Sequence, residues 1–257
     1  MTYKALMLDI DGTITPYDYS ALPSEKVCEA ILKASQKLTV SLVTGRGFAS
    51  VKKILAHIGL QSGYGAINNG SYVFDIHSER VLYDQPINDE STEKIARILT
   101  ERSIPFYVKQ FQGDEYTIHA PYKKGDSLKK VYMMYSEELF DHTKLTNLFS
   151  ELSNISDITL HKTRHKNPDM YGFNITHAMA TKAHAIEVIL GQIHVKRDEV
   201  IGVGDSYNDF PLLMASGLKV AMGNALQDLK DIADFVAPSV HEDGVVQVID
   251  KYILLNE

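Results

Sequence analysis

Asp9 and Asp11 are two carboxylates set two residues apart at the end of the apolar run Ala5-Leu6-Met7-Leu8, and Gly12 and Thr13 follow them. Residues two apart on an extended chain point to the same side. If the strand runs as far as Gly12, both carboxylates therefore face one ligand. Like charges at that spacing repel unless a cation or a shared proton relieves them. The run is short and bounded by a turn signal, which predicts a buried strand. A strand that ends in an acidic, solvated Asp-Gly turn fits the same residues.

Three further groups sit at predicted strand ends or helix starts. Val43-Thr44-Gly45-Arg46 offers a hydroxyl and backbone amides at a helix start, where an anion is favoured. Thr181-Lys182 brings one positive charge to another helix start. Gly204-Asp205-Ser206-Tyr207-Asn208-Asp209 ends a strand on a carboxylate and opens a helix with an amide and a second carboxylate. Carboxylates suit Mg²⁺, which takes oxygen ligands, and the hydroxyl, amide and ammonium donors suit phosphate. Phosphoryl transfer needs positioning and charge neutralisation above all, and a carboxylate nucleophile splits it into two steps. Plainer readings stand beside these. Asp205 and Asp209 also fit a helix cap and a first-turn acid, and Lys182 a solvated surface lysine. Arg46 fits a surface position as well as a substrate contact.

The elements that must position these groups follow from periodicity. Pro23 to Lys37, with Val27, Ala30, Ile31, Ala34 and Leu38 as its apolar stripe, is predicted helical, as is Phe48 to Ile58. Thr39 to Thr44 is a β-branched strand. Ala66 to Asn68 and Tyr72 to Phe74 flank Asn69-Gly70, a hairpin signal. From Pro86 the pattern changes: a helix over Glu93 to Leu99, strands over Phe106 to Phe111, Tyr116 to Pro121 and Lys130 to Ser136, a helix over Leu145 to Leu152, then strands over Ile158 to His161 and Tyr171 to Thr176. The basic stretch His161 to Lys166 reads as a solvated loop. After His177 strands and helices alternate again: a helix over Ala183 to Leu190, strands at Glu199 to Val203, Lys219 to Met222 and Phe235-Val236, and helices between them and at Val245 to Leu254. This is an α/β domain with a parallel sheet, residues 1–85 and 178–257, interrupted by an α+β domain with its own sheet, residues 86–177.

Composition narrows the class. The chain has 257 residues, 44% hydrophobic and 23% charged, with a formal net charge of −7, which argues against a general nucleic-acid binder. No apolar run approaches the ~18 residues of a membrane span, and no signal peptide is evident. The one cysteine, Cys28, excludes an intrachain disulfide and a cysteine-based zinc cluster. A reduced, cytoplasmic setting fits.

In this order the four groups resemble the motifs of the haloacid dehalogenase (HAD) superfamily of phosphohydrolases. Asn68-Asn69-Gly70, Ala221-Met222-Gly223-Asn224-Ala225 and Glu242-Asp243-Gly244-Val245 are similar to segments of its Cof-type branch. The resemblance implies a Rossmann-like three-layer core and makes residues 86–177 a C2B-type cap. It implies that Asp9 is the nucleophile, and that Asp11 protonates the leaving oxygen and later activates water. Thr44, Gly45, Arg46, Lys182 and Asn208 would bind the phosphoryl group or substrate, with Asn208 orienting Lys182 or the phosphate. Mg²⁺ would be held by Asp9, the Asp11 backbone carbonyl and Asp205, with Asp209 supporting it directly or through water. The branch usually has Lys-Gly where this chain has Lys182-Ala183, a change that bears on the helix start. The implied activity is hydrolysis of a small phosphorylated metabolite, such as a sugar phosphate or a phosphoglycolate-like acid. A phosphomutase, and a non-catalytic binding protein on the same scaffold, are the rival readings.

Overall fold

A computed structural model of the chain describes residues 2–112, 115–118, 121–164, 167 and 169–255. It divides into two compact units, residues 1–83 with 182–257, and residues 84–181.

The first unit opens with β1 (Ala5–Leu8), α1 (Glu25–Ser35), β2 (Thr39–Val43), α2 (Phe48–Ile58), β3 (Tyr64–Ile67), β4 (Tyr72–Asp75) and β5 (Val81–Asp84). The second unit holds α3 (Asp89–Glu101), β6 (Tyr107–Gln112), β7 (Glu115–Ile118), β8 (Val131–Phe140), α4 (His142–Leu152), β9 (Ile158–Arg164) and β10 (Tyr171–His177). The chain re-enters the first unit at α5 (Lys182–Ile193). It continues through β11 (Val200–Gly204), α6 (Phe210–Met214), β12 (Leu218–Ala221), α7 (Gln227–Asp231), β13 (Phe235–Val236) and α8 (Gly244–Ile249). Among the described residues no helix is long and apolar enough to cross a membrane.

The first unit is a three-layer α/β structure on an eight-stranded sheet in the order β13-β12-β11-β1-β2-β3-β4-β5. Pairing is parallel from β13 to β3 and antiparallel between β3 and β4. The period of two along β1 makes the layers. Leu6 and Leu8 join α1, α2 and α8 in one apolar cluster, while Ala5 and Met7 join α5 and α6 in another. All four are fully buried, as expected of a strand covered on both faces. Ser24 caps α1 by accepting a hydrogen bond from Val27 N, and Gly59 ends α2 in a left-handed conformation. The second unit has a five-stranded sheet, β7-β6-β8-β10-β9, with its own apolar cluster that includes Ile95, Leu99, Leu145, Leu148 and Phe173.

Four details differ from the sequence reading. β1 stops at Leu8 rather than reaching Gly12. Asn68 and Asn69 between β3 and β4 both adopt positive φ, 50° and 59°, a conformation asparagine tolerates better than most residues. The predicted basic loop is strand through Arg164, because its residues pair with β10; His165 and Lys166 lie outside the described residues, as do His119 and Ala120 of the strand expected over Tyr116 to Pro121. The last predicted helix is α8 followed by a π-helical turn over Asp250–Leu254.

Candidate active site

Parallel pairing delivers three of the four groups to one edge of the sheet. Leu8 pairs with Leu42 on one side and Val203 on the other, so Asp9, Thr44 and Asp205 follow side by side at the carboxyl ends of β1, β2 and β11. The connection after β1 runs to β2 on one side and that after β11 runs to β12 on the other. The crevice between such strands is the position at which open α/β sheets bind ligands.

Asp9 N still donates to Val203 O at 3.1 Å. The chain then folds around the Ile10 carbonyl, which accepts from the N–H groups of Thr13, Ile14 and Thr15 at 3.2, 2.9 and 3.0 Å. This turn replaces the extended chain that would have aimed both carboxylates at one ligand. Asp9 is buried against Lys182, whereas Asp11 turns to Arg46. Gly12 is required at the bend: its φ is +81°, and a Cβ there would lie 2.5–2.7 Å from the Asp205 carboxylate. Gly12→Ala is expected to cost more than about 1 kcal/mol of stability and to weaken divalent-cation binding, since Asp205 must move. Calorimetry with and without Mg²⁺ checks both effects; equal melting and equal Mg²⁺ response would refute the close-approach argument.

The charged centre is buried. Lys182 Nζ donates to Asp9 Oδ1 and to Asp209 Oδ1, both at 2.6 Å, and the lysine is 1% exposed. It is the first residue of α5, and Ala183, where the Cof-type branch usually has glycine, is the second. Asp209 Oδ2 accepts from the N–H groups of Asp205 and Ser206, each at 2.9 Å. The first-turn acid of the plain reading thus caps its own loop and belongs to the charged centre as well. Asp205 is reached by the Tyr17 hydroxyl and, at 3.5 Å each, by Thr13 Oγ1 and Asn224 Nδ2.

Oxygens of Asp9, Asp205 and Asp209 lie within 4.8 Å of one another. Three buried carboxylates lie together, and the Lys182 ammonium pairs with two of them, Asp9 and Asp209. Burial and then the Asp209 charge push the Asp9 carboxyl up to about 7 against the pull of Lys182. Asp205 is raised by burial, then by Asp209 and Asp9. The same carboxylates hold the Lys182 ammonium above its usual range in spite of its burial. A site short of positive charge and lined by hard oxygen atoms fits a divalent cation such as Mg²⁺.

Thr44 is buried beside this centre. Its N–H donates to Ala66 O and its carbonyl accepts from Asn69 N, both at 2.9 Å. Asn208 Nδ2 donates to Asn69 Oδ1 at 3.0 Å, so Asn208 is held by Asn69 rather than by Lys182. A side chain at Gly45 would meet Asn69 Oδ1 at 3.0 Å. Arg46 is 2% exposed and forms a two-pronged ion pair with Asp11, Nε to Oδ2 at 2.9 Å and Nη2 to Oδ1 at 2.7 Å. Sequence reasoning gave no role to Tyr17, took Asn69 as a hairpin-turn residue, and placed Asn224 only within a segment similar to the Cof-type branch. Asn69-Gly70 signals a turn, and it is one; only the fold adds the contact to Asn208. Asn224 also donates to Gly12 O at 2.8 Å and accepts from Val240 N at 2.8 Å, tying three loops through one amide.

Residues 6–249 match the model of the haloacid dehalogenase-like hydrolase family. The chain is 24% identical to phosphoglycolate phosphatase 1 of Saccharolobus solfataricus, over 97% of this chain and 96% of that protein. It is 25% identical to the phosphoglycolate phosphatase of Methanothermobacter thermautotrophicus, over 97% and 99%. The fold is similar to that of a haloacid dehalogenase-like hydrolase from B. subtilis, with a TM-score of 0.82 at 22% identity, covering 97% and 99% of the two chains.

Proposed function

The chain belongs to the haloacid dehalogenase-like hydrolase family, and on that premise we propose that it is a Mg²⁺-dependent phosphatase of small phosphate monoesters, working through an aspartyl phosphate on Asp9. The observation that carries the reading is the buried set of Asp9, Asp205 and Asp209 at the carboxyl edge of the sheet, with Lys182 paired to Asp9 and Asp209. Phosphatases among its relatives support the same reaction class.

In the first step a carboxylate oxygen of Asp9 attacks phosphorus and the bond to the ester oxygen breaks. Asp11 gives its proton to that oxygen, so the alcohol leaves neutral. In the second step Asp11 takes a proton from water, the resulting hydroxide displaces the Asp9 carboxylate from phosphorus, and inorganic phosphate leaves. Lys182 holds Asp9 in place and neutralises charge on the transferring group, while the Thr44 hydroxyl donates to a phosphoryl oxygen. Asp9, Asp205, Asp209 and the Asp11 carbonyl would hold Mg²⁺, which supplies charge neutralisation for nucleophile and phosphoryl group together. Sugar phosphates and phosphoglycolate-like acids are the proposed substrates, and the second unit is proposed as the cap that selects among them.

The test is phosphate release from a panel of phosphorylated metabolites, with boiled protein as control; no release from any ester would end the proposal. Removal of metal with EDTA is expected to stop release and added Mg²⁺ to restore it. Ca²⁺ is expected to substitute poorly, because its larger and more variable coordination disturbs in-line geometry. At about one hundred times its dissociation constant, Mg²⁺ should stabilise the folded chain by about 2.7 kcal/mol, read by calorimetry. Full activity after thorough metal stripping would refute the dependence.

A further inference from the structure

The guanidinium of Arg46 has five N–H donors, and the structure gives acceptors to all of them. Nε donates to Asp11 Oδ2 at 2.9 Å, and Nη2 to Asp11 Oδ1 at 2.7 Å and Asp18 O at 3.3 Å. Nη1 donates to Tyr19 O and to Ser50 Oγ, both at 3.0 Å. The Tyr19 ring lies over the group, 4.5 Å from Cζ to centroid. A phosphate ligand must present N–H groups to the phosphoryl oxygens, and here none is left over.

We infer that Arg46 is the positioning residue for proton transfer by Asp11 and is not a phosphate ligand. The inference rests on the phosphatase reading above. A two-pronged pair fixes both the plane and the direction of a carboxylate. To carry the proton it gives to the ester oxygen, Asp11 must release one of its oxygens from an Arg46 N–H, because a protonated oxygen no longer accepts there. The other contact remains, and the carboxyl turns about it. The pivot stays still because Asp18 O, Tyr19 O, Ser50 Oγ and the Tyr19 ring hold the guanidinium independently of Asp11. Asp9 then bonds to phosphorus as the ester bond breaks, and the alcohol departs with the Asp11 proton.

Leaving-group dependence separates this role from phosphate binding. An alkyl phosphate expels a strongly basic alkoxide and needs the acid; p-nitrophenyl phosphate expels a stable phenolate and does not. Wild type, Arg46→Gln and Tyr19→Ala are compared on the best alkyl ester of the wild type and on p-nitrophenyl phosphate, with inorganic phosphate as competitive inhibitor. The second step, in which Asp11 activates water, is common to all esters and enters kcat, so the comparison is made on kcat/KM, which reports the first step alone. Arg46→Gln is expected to lower kcat/KM on the alkyl ester by roughly 100-fold or more, the scale of general acid catalysis, and on p-nitrophenyl phosphate by less than about fivefold. The inhibition constant of inorganic phosphate should stay within about threefold, since no phosphate contact is removed. Tyr19→Ala, which removes only the ring over the guanidinium, should show the same selectivity at roughly 2–30-fold. A tenfold weaker inhibition by phosphate, or an equal loss of kcat/KM on both esters, overturns the inference. If Arg46→Gln does not fold, Tyr19→Ala decides: selective loss supports the role, and equal loss or none overturns it. A wild type that releases phosphate from neither ester refutes the phosphatase reading itself, and this inference with it.

Discussion

Asp9→Asn is expected to lower phosphate release by about four orders of magnitude or more, the scale seen when a covalent nucleophile is removed. The amide has nearly the shape of the carboxylate, but it does not form the phosphoryl ester and it removes one negative ligand from the cation site. The fold should survive. Asp9 is buried among like charges, and its carboxyl is pushed up to about 7 mainly by burial and Asp209. Lys182 keeps Asp209 as partner at 2.6 Å, so the metal-free variant should melt no lower than wild type at pH 8. Rapid acid quench during turnover should trap an acyl phosphate on the wild type and none on the variant. Near-normal turnover by a sequence-verified variant would exclude Asp9 as nucleophile.

Lys182→Met is expected to act on stability and activity together. Lys182 is the one ammonium between Asp9 and Asp209, and all three side chains are buried. Removing one partner of a buried ion pair leaves an uncompensated charge, a loss of about 3–5 kcal/mol. In a chain of this size that lowers the melting temperature by roughly 6–20 °C. Turnover should fall by roughly 100-fold or more, because a cation aimed at the developing charge is gone. The two losses are separable. Adding Asp9→Asn to Lys182→Met removes one of the stranded charges and should recover part of the stability without recovering turnover. A single variant that melts within a degree or two of wild type in EDTA would refute the electrostatic account.

Much of the fold was legible because apolar period and turn residues are local properties. Phe48 to Ile58 is helical over the predicted range because its stripe and its flanking glycines agree. Val81–Asp84 escaped notice because a four-residue edge strand with no alternation carries no such signal. The basic stretch from His161 was misread for a related reason. Charge suggests solvent, yet strand pairing with β10 satisfies the backbone whatever the side chains are.

The sequence by itself determined which chemical groups are present, in what order, and on which kind of element each begins. Asp9, Thr44, Lys182 and Asp205 could be picked out because strand ends and helix starts announce themselves over a few residues. Tertiary structure alone decided who faces whom. Lys182 meets Asp9 across 173 positions of sequence and Arg46 meets Asp11 across 35. Spacing along a strand suggested that Asp9 and Asp11 act side by side. The turn around the Ile10 carbonyl sends one to the buried lysine and the other to the arginine. That turn closes on hydrogen bonds made from Ile10 to Thr15, but the direction each carboxylate takes is fixed by distant cations, because a buried charge settles where its counter-charge is. No local pattern encodes that position.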